Sequence, residues 1–394
     1  MQRPLTAFLA CAVIHLAATV APAATFRVDD AADAVDAAPG DGVCATAGGK
    51  CTLRAAVQEA NAFAGADRIR LPEGTFPLQI GGVGEDEAAT GDLDVNGRLR
   101  IVGAGAVETI VDGGALDRVF ELGQTARVEL RQLTVRGGKA ADASGGGINA
   151  PGFSRLTLNR VVVEGNEARI GGGIATTGPL RMKASSVLDN VAELAGGLAL
   201  FAADATIRSS TFDGNVATGN GGFLVGHDIE ATGAALVTIA NSTITGQIET
   251  YASCGEQTAA DFRLSSVTVN DVSAISLGRP FCPPPEVAVT VRNTIVQQCH
   301  ATLFSEGYNF VQPEGCFIAG DLTGVVIGDD PLLGSLKDNG GPTFTRLPVA
   351  VSAAVDGGNP ATPGSGGFAC EPFDQRGVPR YLGLGCDIGA TEAH

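Results

Sequence analysis

Tryptophan is absent from this sequence, tyrosine occurs three times and methionine twice, and 26 lysines and arginines stand against 43 aspartates and glutamates. The net charge is −17, and no basic run interrupts the acidic background. A polyanion is therefore repelled overall and finds no local cluster of cations, which argues against nucleic acid and against anionic lipid surfaces as partners. Four histidines and no CxxC pair leave no zinc-ligand spacing. Beyond the N-terminal stretch no apolar run is long enough to span a bilayer, so no transmembrane segment is expected in the mature chain. GxSxG and nucleotide-binding motifs are missing as well.

Hydrophobic residues make up 44% of the 394 positions, so the chain folds rather than remaining disordered. Glycine, at 55 residues with no collagen period, points to frequent tight turns. The first 23 residues read as a secretory signal peptide: one Arg, the apolar run Leu5–Val20, and the small-x-small site Ala21-Pro22-Ala23. The protein is accordingly expected at the cell surface or in the medium, with the periplasm as the other destination. Cys11 leaves with the signal. Eight cysteines remain, an even number in an exported chain, which indicates disulfides. Eight cysteines allow 105 pairings. Nearest-neighbour pairing predicts Cys44–Cys51, Cys254–Cys282, Cys299–Cys316 and Cys370–Cys386.

Two repeat signals run through the centre. Glycine clusters followed by an apolar residue occur at Gly145-Gly146-Gly147-Ile148, Gly171-Gly172-Gly173-Ile174, Gly196-Gly197-Leu198 and Gly221-Gly222-Phe223, in steps of 26, 24 and 25 residues. An apolar residue three positions before Asn or Gln recurs at Val163/Asn166, Val187/Asn190, Phe212/Asn215, Ile244/Gln247, Val267/Asn270 and Ile295/Gln298. Between these marks lie short alternating runs such as Arg155-Leu156-Thr157-Leu158, which put one face inward as a strand does. Leucine-rich repeats share the period but need an LxxLxLxxN core that is not present. The pattern predicts an all-β, right-handed parallel β-helix of eight or nine coils, roughly 40 Å long at ~4.8 Å per coil. The Asn and Gln side chains are expected to stack as a ladder between coils, and the glycine clusters to serve turn geometry rather than phosphate binding.

A solenoid must cover the ends of its core. At the N-terminal end, Thr52 is placed to cap a helix over about 53–64, with Leu53, Ala56, Val57, Ala60 and Ala64 on one face. The segment Cys51-Thr52-Leu53-Arg54-Ala55-Ala56-Val57-Gln58-Glu59-Ala60-Asn61 closely resembles the bacterial CSLREA domain, with Cys44 where that family places its upstream cysteine. Ala55 stands where the family has Glu, which removes half of a capping box. The C-terminal segments Asp330-Pro331-Leu332-Leu333-Gly334, Asp338-Asn339-Gly340-Gly341-Pro342-Thr343, Ala354-Val355-Asp356-Gly357-Gly358-Asn359-Pro360, Asp374-Gln375-Arg376-Gly377-Val378-Pro379-Arg380 and Cys386-Asp387-Ile388-Gly389-Ala390 resemble the choice-of-anchor Q domain. The repeats resemble those of polymorphic outer-membrane proteins and pectin-lyase-like β-helices. These resemblances imply fold and export, not an activity. The expected layout is a signal over 1–23, an N-terminal cap over 24–80, the β-helix over 81–317 and a loop-rich, disulfide-stapled C-terminal region over 318–394. No LPxTG motif or apolar tail precedes His394, so anchoring at that end is not expected.

Chemistry is thinly marked. The polygalacturonase and pectate-lyase signatures are present only as fragments: Gly226-His227-Asp228 lacks a second glycine, and Arg346-Leu347-Pro348 lacks a second arginine. His227 and Asp228 are the weak candidates for acid–base work. Asp92, Asp94 and Asn96 open like an EF-hand loop, but Gly103 occupies the place of the bidentate Glu. Calcium is thus the single ion the sequence leaves open, and no other cofactor is expected. The leading expectation is a non-catalytic exported protein presenting a rigid face to a glycan, matrix or cell surface. The alternatives are an exported polysaccharide lyase or glycoside hydrolase with an unmarked acidic site, and a purely structural surface protein.

Overall fold

A computed structural model describes residues 23–63, 65–219, 227–253, 260–277, 288–312, 315–380 and 383–393. The signal segment and the Cys254–Cys282 pair lie outside these residues.

The chain winds as a parallel β-helix. One ladder runs through Ala66–Arg70, Arg98–Val102, the first half of Arg127–Arg136, the first half of Arg155–Glu164, Leu180–Lys183, Ala205–Arg208, Leu236–Ala240, Asp261–Ser265, Ala288–Arg292, Thr302–Glu306 and Phe317–Asp321. Two further ladders complete each turn, and all pairings between coils are parallel. Nine successive coils, from 66–95 to 288–300, carry all three strands; two more keep only the first two. The helix therefore starts earlier than residue 81 and continues to Val326–Ile327.

Alternation sets the register. Leu99, Val128, Leu156, Leu180, Ala205, Val237, Phe262, Val289 and Leu303 pair in sequence along the first ladder, and all are buried. Each buried aliphatic or aromatic side chain contributes on the order of 1.5–3 kcal/mol, and a one-residue slip would turn the whole row to solvent. Where glycines cluster, backbones of successive coils touch: a Cβ on Gly172 would stand 2.4 Å from Val191 O. In the first two clusters the N–H groups are spent on the next coil, as Gly173 N to Gly196 O at 3.1 Å, which is turn and coil geometry. A four-stranded side sheet, Lys139–Ser144, Glu167–Ile170, Val191–Leu194 and Val216–Ala217, packs a row of small residues inward: Ala140, Ala168, Ala192 and Ala217.

The polar ladder is shorter than the sequence suggests. Asn166, Asn190 and Asn215 form it: Asn166 Nδ2 donates to Asn190 Oδ1 and Asn190 Nδ2 to Asn215 Oδ1, both at 2.9 Å. Gln247 and Gln298 instead fall beside Asp271, because the chain there runs on as single continuous strands, Thr243–Ser253, Thr268–Leu277 and Ile295–His300. Hydroxyls take over one corner. Ser185, Ser210, Ser242 and Thr294 each donate to the carbonyl two residues back, while accepting the backbone N–H of Val161, Ser185, Ser210 and Val267 respectively.

The helix spans Leu53–Ala62, capped by Thr52 Oγ1 accepting from Ala55 N at 3.2 Å. It is buried on all sides, not on one face alone. Arg54 reaches Asp33 through Nε at 2.6 Å and donates to Ala88, Gly91 and Asp92 carbonyls, tying the cap to the first coils. Cys44–Cys51, Cys299–Cys316 and Cys370–Cys386 are bonded. The C-terminal region is loop-rich, as expected, and extends from the last coils back along the flank of the rod. Gln375 donates to Thr211 and Thr343 hydroxyls at 2.9 Å and accepts from Thr243, and Asn241 donates to Phe373 O.

Candidate functional site

The outward positions of the first ladder concentrate cations. Arg27, Arg68, Arg70, Arg98, Arg100, Arg127, Arg131, Arg155, Arg181, Lys183, Arg208, Arg263 and Arg292 all belong to it, half of the chain's 26 lysines and arginines. Each is next to at least one inward apolar residue, so the same alternation that fills the core presents these heads to solvent. Arg98, Arg127 and Arg155 are register partners on three successive coils and line a groove of about 600 Å³ with Arg100, Glu129 and Arg181.

Their surroundings divide them in two groups. Arg100 is bound to Glu129 at 2.6 Å, and Arg131 stands 3.7 Å from the same carboxylate. Arg263 pairs with Asp261 and Arg292 with Glu306. Arg98, Arg127, Arg155 and Arg181 have no ion pair among the described residues. Like charges about 5 Å apart repel by roughly 0.8 kcal/mol per pair even in water, so the row stores repulsion that an anionic ligand would relieve. The aromatic side chains on this ladder's outer rows, Phe304 and Phe317, lie in the last two coils, while Phe153 stands exposed two residues before Arg155.

A second cluster is acidic. Asp94 and Glu121 are register partners on adjacent coils, and Asp92, Asp94 and Glu121 each bring an oxygen within 4.8 Å of the others. Burial raises Asp92 to about 7, reinforced by Asp94 beside it, and raises Asp94 to about 6. Arg118 contacts Glu121 and stands 3.3 Å from Asp92. Asn96 does not join: its side chain is exposed and donates to Asp86 O, and its backbone N–H goes to Asn61. Glu121 lies 27 residues from Asp94, one coil away, and no motif in the sequence connects the two.

His227 opens the strand His227–Thr232, and its side chain lies outside the described residues. Asp228 is not on a solvent turn. It is fully buried, accepts from Asn215 Nδ2 and Gly246 N at 2.7 Å each, and ends the asparagine ladder. Burial pushes its carboxyl up to about 7. In this position Asp228 serves the ladder as a buried acceptor.

No protein-family model matches the chain, and no curated protein matches it. Among solved structures, the chain is similar to the crystal structure of pectate lyase Pel9A, with a TM-score of 0.50, 13% sequence identity, and coverage of 95% of this chain and 98% of that one. The likeness is one of fold. The chain is a right-handed parallel β-helix. Among the described residues no helix is long and apolar enough to cross a membrane.

Proposed function

We propose that this chain is an exported, non-catalytic binding protein whose first ladder holds a linear acidic glycan along the rod. The observation that carries the reading is the stack of Arg98, Arg127 and Arg155, unpaired and in register within one groove. Parallel coils repeat every ~4.8 Å, so the arginines meet a regularly charged polymer in phase, and guanidinium forks suit carboxylate and sulfate groups. Four arginines without an ion pair gathered in one groove, against one exposed aromatic nearby, Phe153, argue for charge recognition over the stacking that neutral sugars favour. Three disulfides agree with an oxidising compartment, where acidic glycans are met and nucleic acid is scarce. The end motifs agree with the bacterial surface families they resemble. Three carboxylates line this groove, and binding without turnover is favoured because each is already engaged: Glu129 with two arginines, Asp67 with Ala24 N and Asp204 with Leu236 N.

The test is retention on immobilised polyuronate and sulfated glycan against neutral glycan, with product release followed in the same samples. Salt-sensitive retention on an acidic polymer, lost when Arg98, Arg127 and Arg155 are all replaced by Ser, is expected. Release of unsaturated or reducing ends would establish an enzyme instead, and equal retention of the triple variant would place any binding elsewhere.

A further inference from the structure

The carboxylates at the junction of cap and rod are out of balance. Glu85, Asp94 and Asp117 act on Asp92, Glu85 and Asp86 act on Asp94, and Arg118 is the cation that faces Asp92 and the neighbouring Glu121. The other cation at the junction, Arg54, is committed to Asp33 and to backbone carbonyls. Asp92 is the decisive residue. Its side chain is 5% exposed, and its Oδ2 receives no hydrogen bond. That oxygen faces the same space as the Glu121 carboxylate, since one nitrogen, Arg118 Nη1, contacts both residues. A buried carboxylate oxygen met only by a shared guanidinium at 3.3 Å, with no hydrogen bond, is under-satisfied and costly to keep.

We propose that Asp92, Asp94 and Glu121 form a binding site for a hard divalent cation of the calcium type, with Arg118 turning outward when the ion is bound. All three ligands offer oxygen, which suits calcium or magnesium and not a soft metal. Calcium tolerates irregular oxygen sets completed by water, as a site assembled from two coils would need. Two ligands flank Leu93 on one strand, and the third arrives from the next coil through parallel pairing. The remaining groups at the site brace it: Asn149 Nδ2 donates to Glu121 Oε1, and Ala88 N donates to Asp94 Oδ2. Because Arg54 of the cap helix grips carbonyls at 88, 91 and 92, an ion held here also fastens the cap.

The experiment is calorimetric titration of the chelator-treated full chain with calcium chloride, with melting recorded beside it. Saturable binding and a higher melting temperature are expected. Glu121→Gln and Asp94→Asn should each weaken binding at least about tenfold, and Arg118→Gln, which removes the competing cation, should tighten it. No heat up to roughly 10 mM calcium, above the range of weak extracellular sites, would overturn the proposal. So would unchanged affinity in both carboxylate variants. An Arg118→Gln protein that loses stability which calcium does not restore would show Arg118 to be the permanent counter-charge, and that too would overturn it.

Discussion

Asn215 donates its side-chain amide to Asp228 Oδ1 across 2.7 Å, and this bond closes a ladder that begins at Gly138 N and runs through Asn166 and Asn190. An acid ends it because a terminal member needs only to accept. The pH dependence follows from the sign of its shift. Burial raises the folded carboxyl to about 7, above its ordinary value near 3.8. The contribution to stability is therefore fully present below about pH 4 and is lost as pH rises through 7. Glu392, raised to about 7 by burial against the opposing pull of Arg380, acts in the same direction. Melting temperatures should be higher at pH 5 than at pH 8, and Asp228→Asn should shrink that difference. An unchanged pH profile in the variant would show that Asp228 does not carry it.

Within the ladder, the Asn190 side chain makes four hydrogen bonds: it accepts from Asn166 N and Nδ2 and donates to Val163 O and Asn215 Oδ1. Asn190→Ala strands these buried groups, at ~1–3 kcal/mol for each left unsatisfied. A loss of roughly 3–5 kcal/mol in chemical unfolding is expected. A loss below 1 kcal/mol would mean that water replaces the amide.

The cap rests on a buried ion pair. Arg54 and Asp33 are 0% and 1% exposed, and removing one partner leaves an uncompensated charge, at a cost of about 3–5 kcal/mol. Asp33→Ala should loosen the cap helix, expose the first coil edge and promote aggregation, as should Cys44→Ser to a smaller degree. Light scattering on heating checks both, and wild-type behaviour in the two variants would contradict the cap's role.

On the basic face the stability effect should oppose the binding effect. Replacing Arg98, Arg127 and Arg155 by Ser removes like-charge repulsion while burying nothing new, so the triple variant should melt no lower than wild type at low salt. A large drop in melting temperature would show that these side chains hold the rod together.

Gln375 is the peg of the C-terminal region, bonded to Thr211, Thr243 and Thr343 and fully enclosed. Gln375→Leu should weaken docking of the segment by ~2–3 kcal/mol and make it cleavable before the coils are. Limited proteolysis followed by mass measurement distinguishes release of this segment from general unfolding.

Some of this was legible in the sequence because it is periodic or local. Inward apolar residues recur at every second position, and a slip exposes them all, so the pattern at Leu156/Leu158 and Ile207 announces a strand without any neighbour. Thr52 caps its own helix three residues away, and Cys44 and Cys51 sit close enough to pair. The arginine row and the Asp94–Glu121 pair follow no such rule. Outward positions are solvated, so the period does not constrain them, and coils that vary from 14 to 32 residues between register partners (Val289 to Leu303, Ala205 to Val237) hide which of them will align. Only the pairing of coils set Arg98 beside Arg127 and Arg155, building a basic face on a chain of net charge −17 that contains no basic run. The ladder's end at Asp228 and the seat of Gln375 on the flank were likewise decided by register and docking, which join residues by their height along the rod rather than by their separation in the chain.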